Sequence, residues 1–168
     1  MKSLHLLIER FADAGLEFVV VGGFAGVLHG STFVTDDLDV CAVLTPANVE
    51  KLRTALADLH PVHRLTHKRV SFLEHPPGGE ALANLYLETD AGVVDLLGSI
   101  LGVGDYGELR KNAVKISLFG RDCFVISLDD LIKAKETLAR ERDLLAAKEL
   151  RAIAAKRAQG GRGTGPKA

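Results

Sequence analysis

Val19-Val20-Val21-Gly22-Gly23 is followed, after thirteen residues, by Asp37-Leu38-Asp39-Val40. The three valines favour a short buried strand, and the two glycines end that strand and open a helix. A glycine lets a ligand approach the backbone closely, and the amide groups at the start of a helix favour phosphate. Most Gly-Gly pairs mark only a tight turn, so Gly22 and Gly23 alone identify no binding site.

The second half of this segment places two carboxylates at the start of a strand. Side chains alternate along a strand, so Asp37 and Asp39 leave the same face while Leu38 and Val40 enter the core. Two carboxylates on one face repel each other unless a cation lies between them. Mg²⁺ prefers such oxygen ligands and is usually held by one or two carboxylates together with substrate phosphates. A lone Asp-x-Asp is more often a solvated strand start, so a third ligand is needed to favour a metal site.

Asp95 supplies a candidate third ligand. It lies within Val93-Val94-Asp95-Leu96-Leu97, where strand propensity and burial both disfavour a carboxylate. A buried carboxylate normally needs a partner or a metal ion. Two aspartates on one strand and one on a later strand are suited to the two-metal arrangement used in phosphoryl and nucleotidyl transfer. The sequence therefore predicts a metal site made of Asp37, Asp39 and Asp95.

These motifs resemble those of the minimal nucleotidyltransferases of the polymerase-β-like superfamily. The run His29-Gly30-Ser31-Thr32-Phe33-Val34-Thr35-Asp36-Asp37-Leu38-Asp39 is similar to the bacterial branch related to abortive-infection nucleotidyltransferase toxins. The resemblance covers about residues 15–155. It extends to Val94-Asp95-Leu96-Leu97, to the helix segment Ser127-Leu128-Asp129-Asp130-Leu131-Ile132-Lys133-Ala134-Lys135, and to Arg140 and Asp143.

The resemblance implies a Mg²⁺-dependent enzyme that moves an NMP from an NTP to a hydroxyl acceptor. It assigns two magnesium ions to Asp37, Asp39 and Asp95, which are also the catalytic residues. It implies a tRNA end, a partner protein or a small hydroxylated molecule as the acceptor, and the sequence does not distinguish among the three. It also implies a role in a toxin–antitoxin or phage-defence system. Its nucleotide-binding candidates are Gly22, Gly23, Ser31, Thr35 and Lys135.

One position departs from the family pattern. Many relatives carry an arginine two residues before the motif threonine, and here Phe33 occupies that position. The triphosphate contact is then either missing or supplied by Arg64, Lys68 or Arg69. The departure keeps open a second reading, in which the chain is a non-catalytic nucleotide- or partner-binding module, such as an antitoxin or regulator on the same fold.

The periodicity of the chain predicts an α+β domain of nucleotidyltransferase-like fold, with helices packed on a single mixed β-sheet and a C-terminal helical pair. Residues 1–158 form this domain, and the Gly-rich residues 159–168 are expected to be a disordered tail. Helices are predicted at 2–14, 24–29, 46–59, 128–139 and 141–157. Strands are predicted at 18–21 and 38–44, with hairpins over 85–97 and 113–126.

The C-terminal helices each carry one charged residue on an apolar stripe. Lys135 shares a stripe with Leu131 and Leu138, and Asp143 shares one with Ala147 and Leu150. The inward lysine and the inward aspartate are expected either to pair with each other or to leave Lys135 free for a nucleotide phosphate.

Composition excludes several other classes. The chain is 47% hydrophobic and 26% charged with a net charge of -1, which disfavours disorder and nucleic-acid binding by bulk charge. No apolar run reaches the roughly 20 residues of a membrane span, so a cytoplasmic protein without a membrane partner is expected. The two cysteines read as buried hydrophobes. The histidine-rich segment 60–75 is better explained as a solvated or phosphate-facing basic rim than as a zinc site.

Overall fold

The computed structural model of this chain describes residues 3–163. Within them the helices are α1 (Leu4–Asp13), α2 (Gly22–Leu28), α3 (Pro46–Leu56), α4 (Tyr106–Asn112), α5 (Leu128–Leu138) and α6 (Glu141–Gly163), with a 3₁₀ turn at Ala57–Leu59. The strands are β1 (Phe18–Val21), β2 (Leu38–Ala42), β3 (Val62–His63), β4 (Asn84–Thr89), β5 (Gly92–Leu97), β6 (Ser99–Ile100), β7 (Gly104–Asp105), β8 (Val114–Leu118) and β9 (Arg121–Val125).

Seven strands form one mixed sheet in the order β3-β4-β5-β2-β1-β9-β8. Strand β2 runs antiparallel to β1 and parallel to β5, while β9 runs parallel to β1. Both predicted hairpins are present, as the antiparallel pairs β4–β5 and β8–β9. The α+β class with helices on a mixed sheet is therefore confirmed. A separate two-stranded ribbon, β6–β7, was not predicted.

The core lies on both faces of the central strands. All four residues of β1 are buried, as expected for a β-branched strand covered on each side. Helix α1 covers one face with Leu7, Ile8 and Phe11, which are fully buried. The register of β2 against β1 and β5 places Asp39 beside Val21 and Asp95.

Helices α3 and α5 each begin at a side-chain cap. Thr45 accepts a hydrogen bond from the Asn48 amide at 3.2 Å and precedes Pro46 at the first helical position of α3. Ser127 accepts one from the Asp130 amide at 3.1 Å at the start of α5. The two caps thus fix where α3 and α5 begin.

The helices differ from the prediction in a missed helix and in several boundaries. Helix α2 begins at Gly22 rather than 24, and α4 was missed because its seven residues bury only Leu109. Helix α6 continues to Gly163, beyond the predicted end at 157, because the glycines at 160 and 161 cost helix stability without blocking the backbone bonds. Residues 164–168 of the predicted disordered tail lie outside the described residues.

The segment between α3 and β4 has little regular structure, but it is anchored. Phe72 is fully buried, and the guanidinium of Arg53 donates to the carbonyl groups of Phe72, at 2.9 Å, and of Pro76. This anchoring holds the segment against α3, and farther along the amide of Arg64 donates to the carbonyl of Tyr86 on β4 at 3.0 Å. No helix in residues 3–163 combines the length and apolar character of a membrane span.

Candidate metal and nucleotide site

The sheet register brings two of the predicted carboxylates side by side. Asp39 on β2 is the Cα partner of Asp95 on the parallel strand β5, so both side chains leave the same face of the sheet. Asp37 lies just before β2, is exposed, and is close enough to raise the pKa of Asp39. The three predicted acidic residues are therefore neighbours, with Asp37 just before β2, Asp39 on β2 and Asp95 within β5.

Asp39 is the electrostatically strained member of this cluster. Burial, and then the charge of Asp95, raise the pKa of Asp39 from 3.8 to about 6, with a smaller contribution from Asp37. Lys135 and Arg64 act in the opposite direction and do not cancel the increase. No hydrogen bond to the Asp39 carboxylate is found within residues 3–160. A partly buried carboxylate with like charges on both sides is the arrangement that a cation would stabilise.

The position of the Asp39 side chain leaves room only for a glycine at residue 22. Its φ of +67° lies in the left-handed region, and a Cβ atom built on it would be 2.3 Å from Oδ2 of Asp39. A Cβ on Gly23 would instead meet Oγ1 of Thr35 at 3.1 Å. Phosphate binding by the glycines stays a prediction; the side chains beside them in the structure are those of Asp39 on β2 and of Thr35 on the loop before β2.

Asp95 carries a bidentate ion pair with Arg64. Nη2 of Arg64 lies 2.7 Å from Oδ1 and 2.6 Å from Oδ2, and Nε lies 3.1 Å from Oδ1. The Cζ atom of Arg64 also lies 5.5 Å from the ring centroid of Tyr86, whose Cα pairs with that of Asp95 across β4–β5. Of the three basic residues expected to replace an arginine at position 33, Arg64 is the one that contacts the carboxylates in the described part of the chain. Arg69 pairs with Glu88 and Lys68 is exposed.

Lys135 pairs with Asp143, which is one of the two alternatives that the sequence left open, and it also lies near the acidic cluster. Its Nζ atom lies 3.5 Å from Oδ1 of Asp143, and its charge also lowers the pKa of Asp39. Asp143 is 1% exposed and accepts a second, shorter bond from Nε of Arg140 at 2.5 Å. These two cations outweigh the effect of burial and hold the pKa of Asp143 below its usual value. Asp143 thus holds both cations at the edge of the acidic cluster.

Ser31 and Thr35 lie on the loop that enters β2, and their contacts differ. Oγ1 of Thr35 donates to the carbonyl of Asp37 at 3.1 Å, so it braces the backbone of the first acidic residue. The hydroxyl of Ser31 instead accepts from the Phe33 amide at 3.2 Å and interacts with Glu149 on α6. Within the described residues, Ser31 makes no hydrogen bond to Asp37, Asp39 or Asp95. Thr35 does support this cluster, through its bond to the backbone of Asp37.

Glu149 is a supporting residue that sequence analysis missed. Its two carboxylate oxygens accept from the Thr32 amide at 2.8 Å and from the Thr32 hydroxyl at 2.6 Å. This contact joins α6 to the loop across 117 positions of sequence, so no local pattern could have revealed it. Tyr86 was missed for a similar reason: its place opposite Asp95 follows from the hairpin register.

The histidines of the basic rim have individual partners. Nδ1 of His60 lies 2.6 Å from the Asp90 carboxylate, and the ring of His63 donates to the carbonyl of His75 at 2.7 Å. The His63 ring also packs edge-on against Phe72. These contacts explain the two histidines as surface and packing groups.

The donor set fits magnesium in chemistry but is not preassembled. Three carboxylates on or just before adjacent strands supply the oxygen ligands that Mg²⁺ prefers, and burial together with the charge of Asp95 raises the pKa of Asp39. Within residues 3–163, however, no group of three or more His, Cys, Asp or Glu side chains is arranged to hold a metal ion as it stands. Arg64 is one reason, since it engages both oxygens of Asp95. The three-aspartate metal site therefore remains a prediction.

Three solved structures share the architecture. A lincosamide antibiotic adenylyltransferase, LnuA, determined with lincomycin bound, superposes with a TM-score of 0.59 at 15% identity over 89% of this chain and 95% of its own. A protein from Thermotoga maritima assigned as a nucleotidyltransferase gives 0.53 at 17% identity, over 91% and 92%. The fold is that of the nucleotidyltransferases.

A third structure agrees with this assignment of the nucleotidyltransferase fold. The antibiotic-resistance factor ANT(2'')-Ia gives a TM-score of 0.52 at 14% identity, over 95% of this chain and 91% of its own. No family model matches the sequence, and no curated protein matches it significantly. The likeness therefore lies in the fold, and the resemblance to the abortive-infection branch stays a prediction from sequence motifs.

Proposed function

We propose that this protein is a Mg²⁺-dependent nucleotidyltransferase that moves an NMP from an NTP to a hydroxyl acceptor. The observation that carries the proposal is the pairing of Asp39 with Asp95 on adjacent parallel strands of a nucleotidyltransferase fold. Asp37 supports it because its exposed carboxylate lies just before β2, and Gly22 supports it because a glycine there leaves room for the Asp39 side chain.

Different residues of this chain have different roles in the proposed reaction. Asp37, Asp39 and Asp95 would hold magnesium, which when bound neutralises charge on the α-phosphate. Lys135 and Arg140, held by Asp143, place positive charge beside the cluster and suit the triphosphate. The acceptor oxygen forms a bond to the α-phosphorus, the bond to the pyrophosphate oxygen breaks, and the acceptor proton passes to a carboxylate of the cluster.

A small hydroxylated molecule is the acceptor that the comparisons favour. LnuA is named as a lincosamide antibiotic adenylyltransferase and ANT(2'')-Ia as an antibiotic-resistance factor, and this chain spans nearly the full length of both. The net charge of -1 adds no support for a tRNA end. A tRNA end and a partner protein remain the alternative acceptors, with the defence role suggested by the sequence motifs.

One pair of observations favours the second candidate function, a non-catalytic binding module. Phe33 replaces an arginine that many relatives carry, and Arg64 occupies Asp95. A protein that binds nucleotide without transferring it would tolerate both features. Retention of all three aspartates is what weighs against this reading.

The test is transfer of label from each α-labelled NTP, with Mg²⁺, to hydroxylated small molecules, cellular RNA and lysate protein. We expect label on one acceptor class, dependent on Mg²⁺ and reduced by about a thousandfold or more in Asp39→Asn, because metal-based charge stabilisation is worth several kcal/mol. Asp36→Asn changes an exposed neighbouring carboxylate and is the matched control. Nucleotide binding without transfer to any acceptor would support the non-catalytic module instead.

A further inference from the structure

Arg64 forms the most complete ion pair at the site. Its guanidinium makes three contacts of 2.6 to 3.1 Å with the two oxygens of Asp95. The side chains are 27% and 17% exposed, so the pair is partly shielded from solvent and still reachable from it. Bidentate arginine–carboxylate pairs of this kind are the stronger class of hydrogen-bonded ion pair.

The backbone of Arg64 is fixed independently of its side chain. Its amide donates to the carbonyl of Tyr86 at 3.0 Å, and Tyr86 is the β4 partner of Asp95. The guanidinium also lies over the Tyr86 ring. Because the backbone is tied to β4, the guanidinium can leave Asp95 by rotation of its own side chain while the segment stays in place.

Arg64 is a counterion for the whole acidic cluster. Its own pKa is raised chiefly by the bond to Asp95 and, more weakly, by the charges of Asp37 and Asp39. A divalent cation held by Asp95 would lie within a few ångströms of the guanidinium, and two cations at that distance repel strongly. Arg64 and a metal ion therefore compete for Asp95.

We propose that Arg64 is an exchangeable counterion that occupies Asp95 when nucleotide is absent and moves to the triphosphate when metal and nucleotide enter. This inference rests on the proposed function, since it assumes that Asp95 holds the metal. It gives Arg64 the triphosphate contact that Phe33 cannot provide. It also makes metal affinity depend on nucleotide, because each ligand favours the state in which Arg64 has left Asp95.

A purely structural ion pair predicts different behaviour. A structural Arg64 would stabilise the fold and leave the affinities for metal and polyphosphate unchanged. An exchanging Arg64 opposes metal binding in the resting state and assists polyphosphate binding. Removing its charge then shifts the two affinities in opposite directions, which loss of a structural brace does not do.

The experiment measures Mn²⁺ alone, and inorganic tripolyphosphate in chelator, by titration calorimetry. In Arg64→Gln we expect Mn²⁺ to bind about tenfold tighter or more, and tripolyphosphate about tenfold weaker or more, than in wild type. Arg121→Gln is the matched control: Arg121 makes a similar two-oxygen pair with Asp13 at the start of β9, at the opposite end of the sheet by register. Its affinities should equal those of wild type.

Each outcome separates the inference from the proposed function. Equal Mn²⁺ affinity in wild type and Arg64→Gln, with binding lost in Asp39→Asn, overturns the exchange and leaves the metal site standing. Equal tripolyphosphate affinity in wild type and Arg64→Gln also overturns the exchange. Absence of Mn²⁺ binding in every variant overturns both. If Arg64→Gln fails to fold, Arg64→Lys is used. Lysine keeps the charge but lacks the planar fork of donors that matches a carboxylate, so its pair with Asp95 is weaker. Mn²⁺ should then still bind tighter than in wild type, and equal affinity refutes the exchange.

Discussion

Replacing Asp39 by asparagine should stabilise the metal-free protein at neutral pH. In the folded state the pKa of Asp39 is about 6, against 3.8 ordinarily, because of burial and the neighbouring Asp95. A shift of about two units corresponds to about 3 kcal/mol between the protonated and ionised forms. Asparagine keeps the shape of the side chain and cannot ionise. At pH 7.5 in chelator, Asp39→Asn should therefore be more stable than wild type by up to about 3 kcal/mol.

The sign of the pH dependence follows from which state binds the proton more tightly. Between pH 4 and pH 6 the folded protein keeps the Asp39 proton while the unfolded chain has released it. Stability of the wild type therefore falls as the pH rises through this window. Carboxylates with lowered pKa values, such as Asp143, act in the other direction, but they are present in both proteins. The stability difference between variant and wild type should thus be small near pH 4 and fully developed above pH 6.

Urea unfolding in chelator at three pH values between 4.5 and 7.5 measures this difference. Asp36→Asn, an exposed carboxylate next to the cluster, controls for the loss of one negative charge. The reasoning is refuted if Asp39→Asn is no more stable than wild type at pH 7.5. It is equally refuted if the advantage is the same at pH 4.5, since a pH-independent gain has no connection with the ionisation of Asp39.

Two further substitutions test how the site is supported. Gly22→Ala should lower the free energy of unfolding by about 2–4 kcal/mol, because alanine is strained in the left-handed region and its Cβ would collide with Asp39. Gly23→Ala should lower it by less, because the side chain of Thr35 that faces Gly23 can move. Equal losses for the two variants in urea unfolding would contradict this. Asp143→Asn should lower the free energy of unfolding by about 1–3 kcal/mol, because Lys135 and Arg140 lose their shared charged acceptor. An unchanged melting temperature would show that water replaces that acceptor fully.

Features that depend on a few consecutive residues could be predicted from the sequence. The run of valines before Gly22 predicts a strand, a turn and a helix, and the structure has β1 followed at once by α2. The alternation at Asp37 and Asp39 predicts that the hydrophobic neighbours are buried, and Leu38 and Val40 are fully buried. Local steric preference and side-chain alternation decide these features, and both can be read in a short window.

Features that depend on contacts between distant segments could not be predicted. The parallel pairing of β2 with β5 places Asp95 beside Asp39 across 56 positions, and only the complete strand order decides it. Arg64 was one of three equivalent basic candidates until the register put Tyr86 opposite Asp95. Helix α4 lacks a periodic apolar face, because its burial depends on one leucine, Leu109.

The burial of a carboxylate is weaker evidence for a metal than the lack of a directly bonded charged partner. Asp95 on an apolar strand was expected to need a partner or a metal, and Arg64 satisfies that need in the metal-free protein. Asp95 alone is therefore compatible with a structural ion pair. Asp39 is different: it is flanked by two like charges, its pKa is raised to about 6, and within residues 3–160 it accepts no hydrogen bond. A site with no catalytic or binding purpose would gain stability by replacing Asp39, so its presence is the stronger argument for a cation.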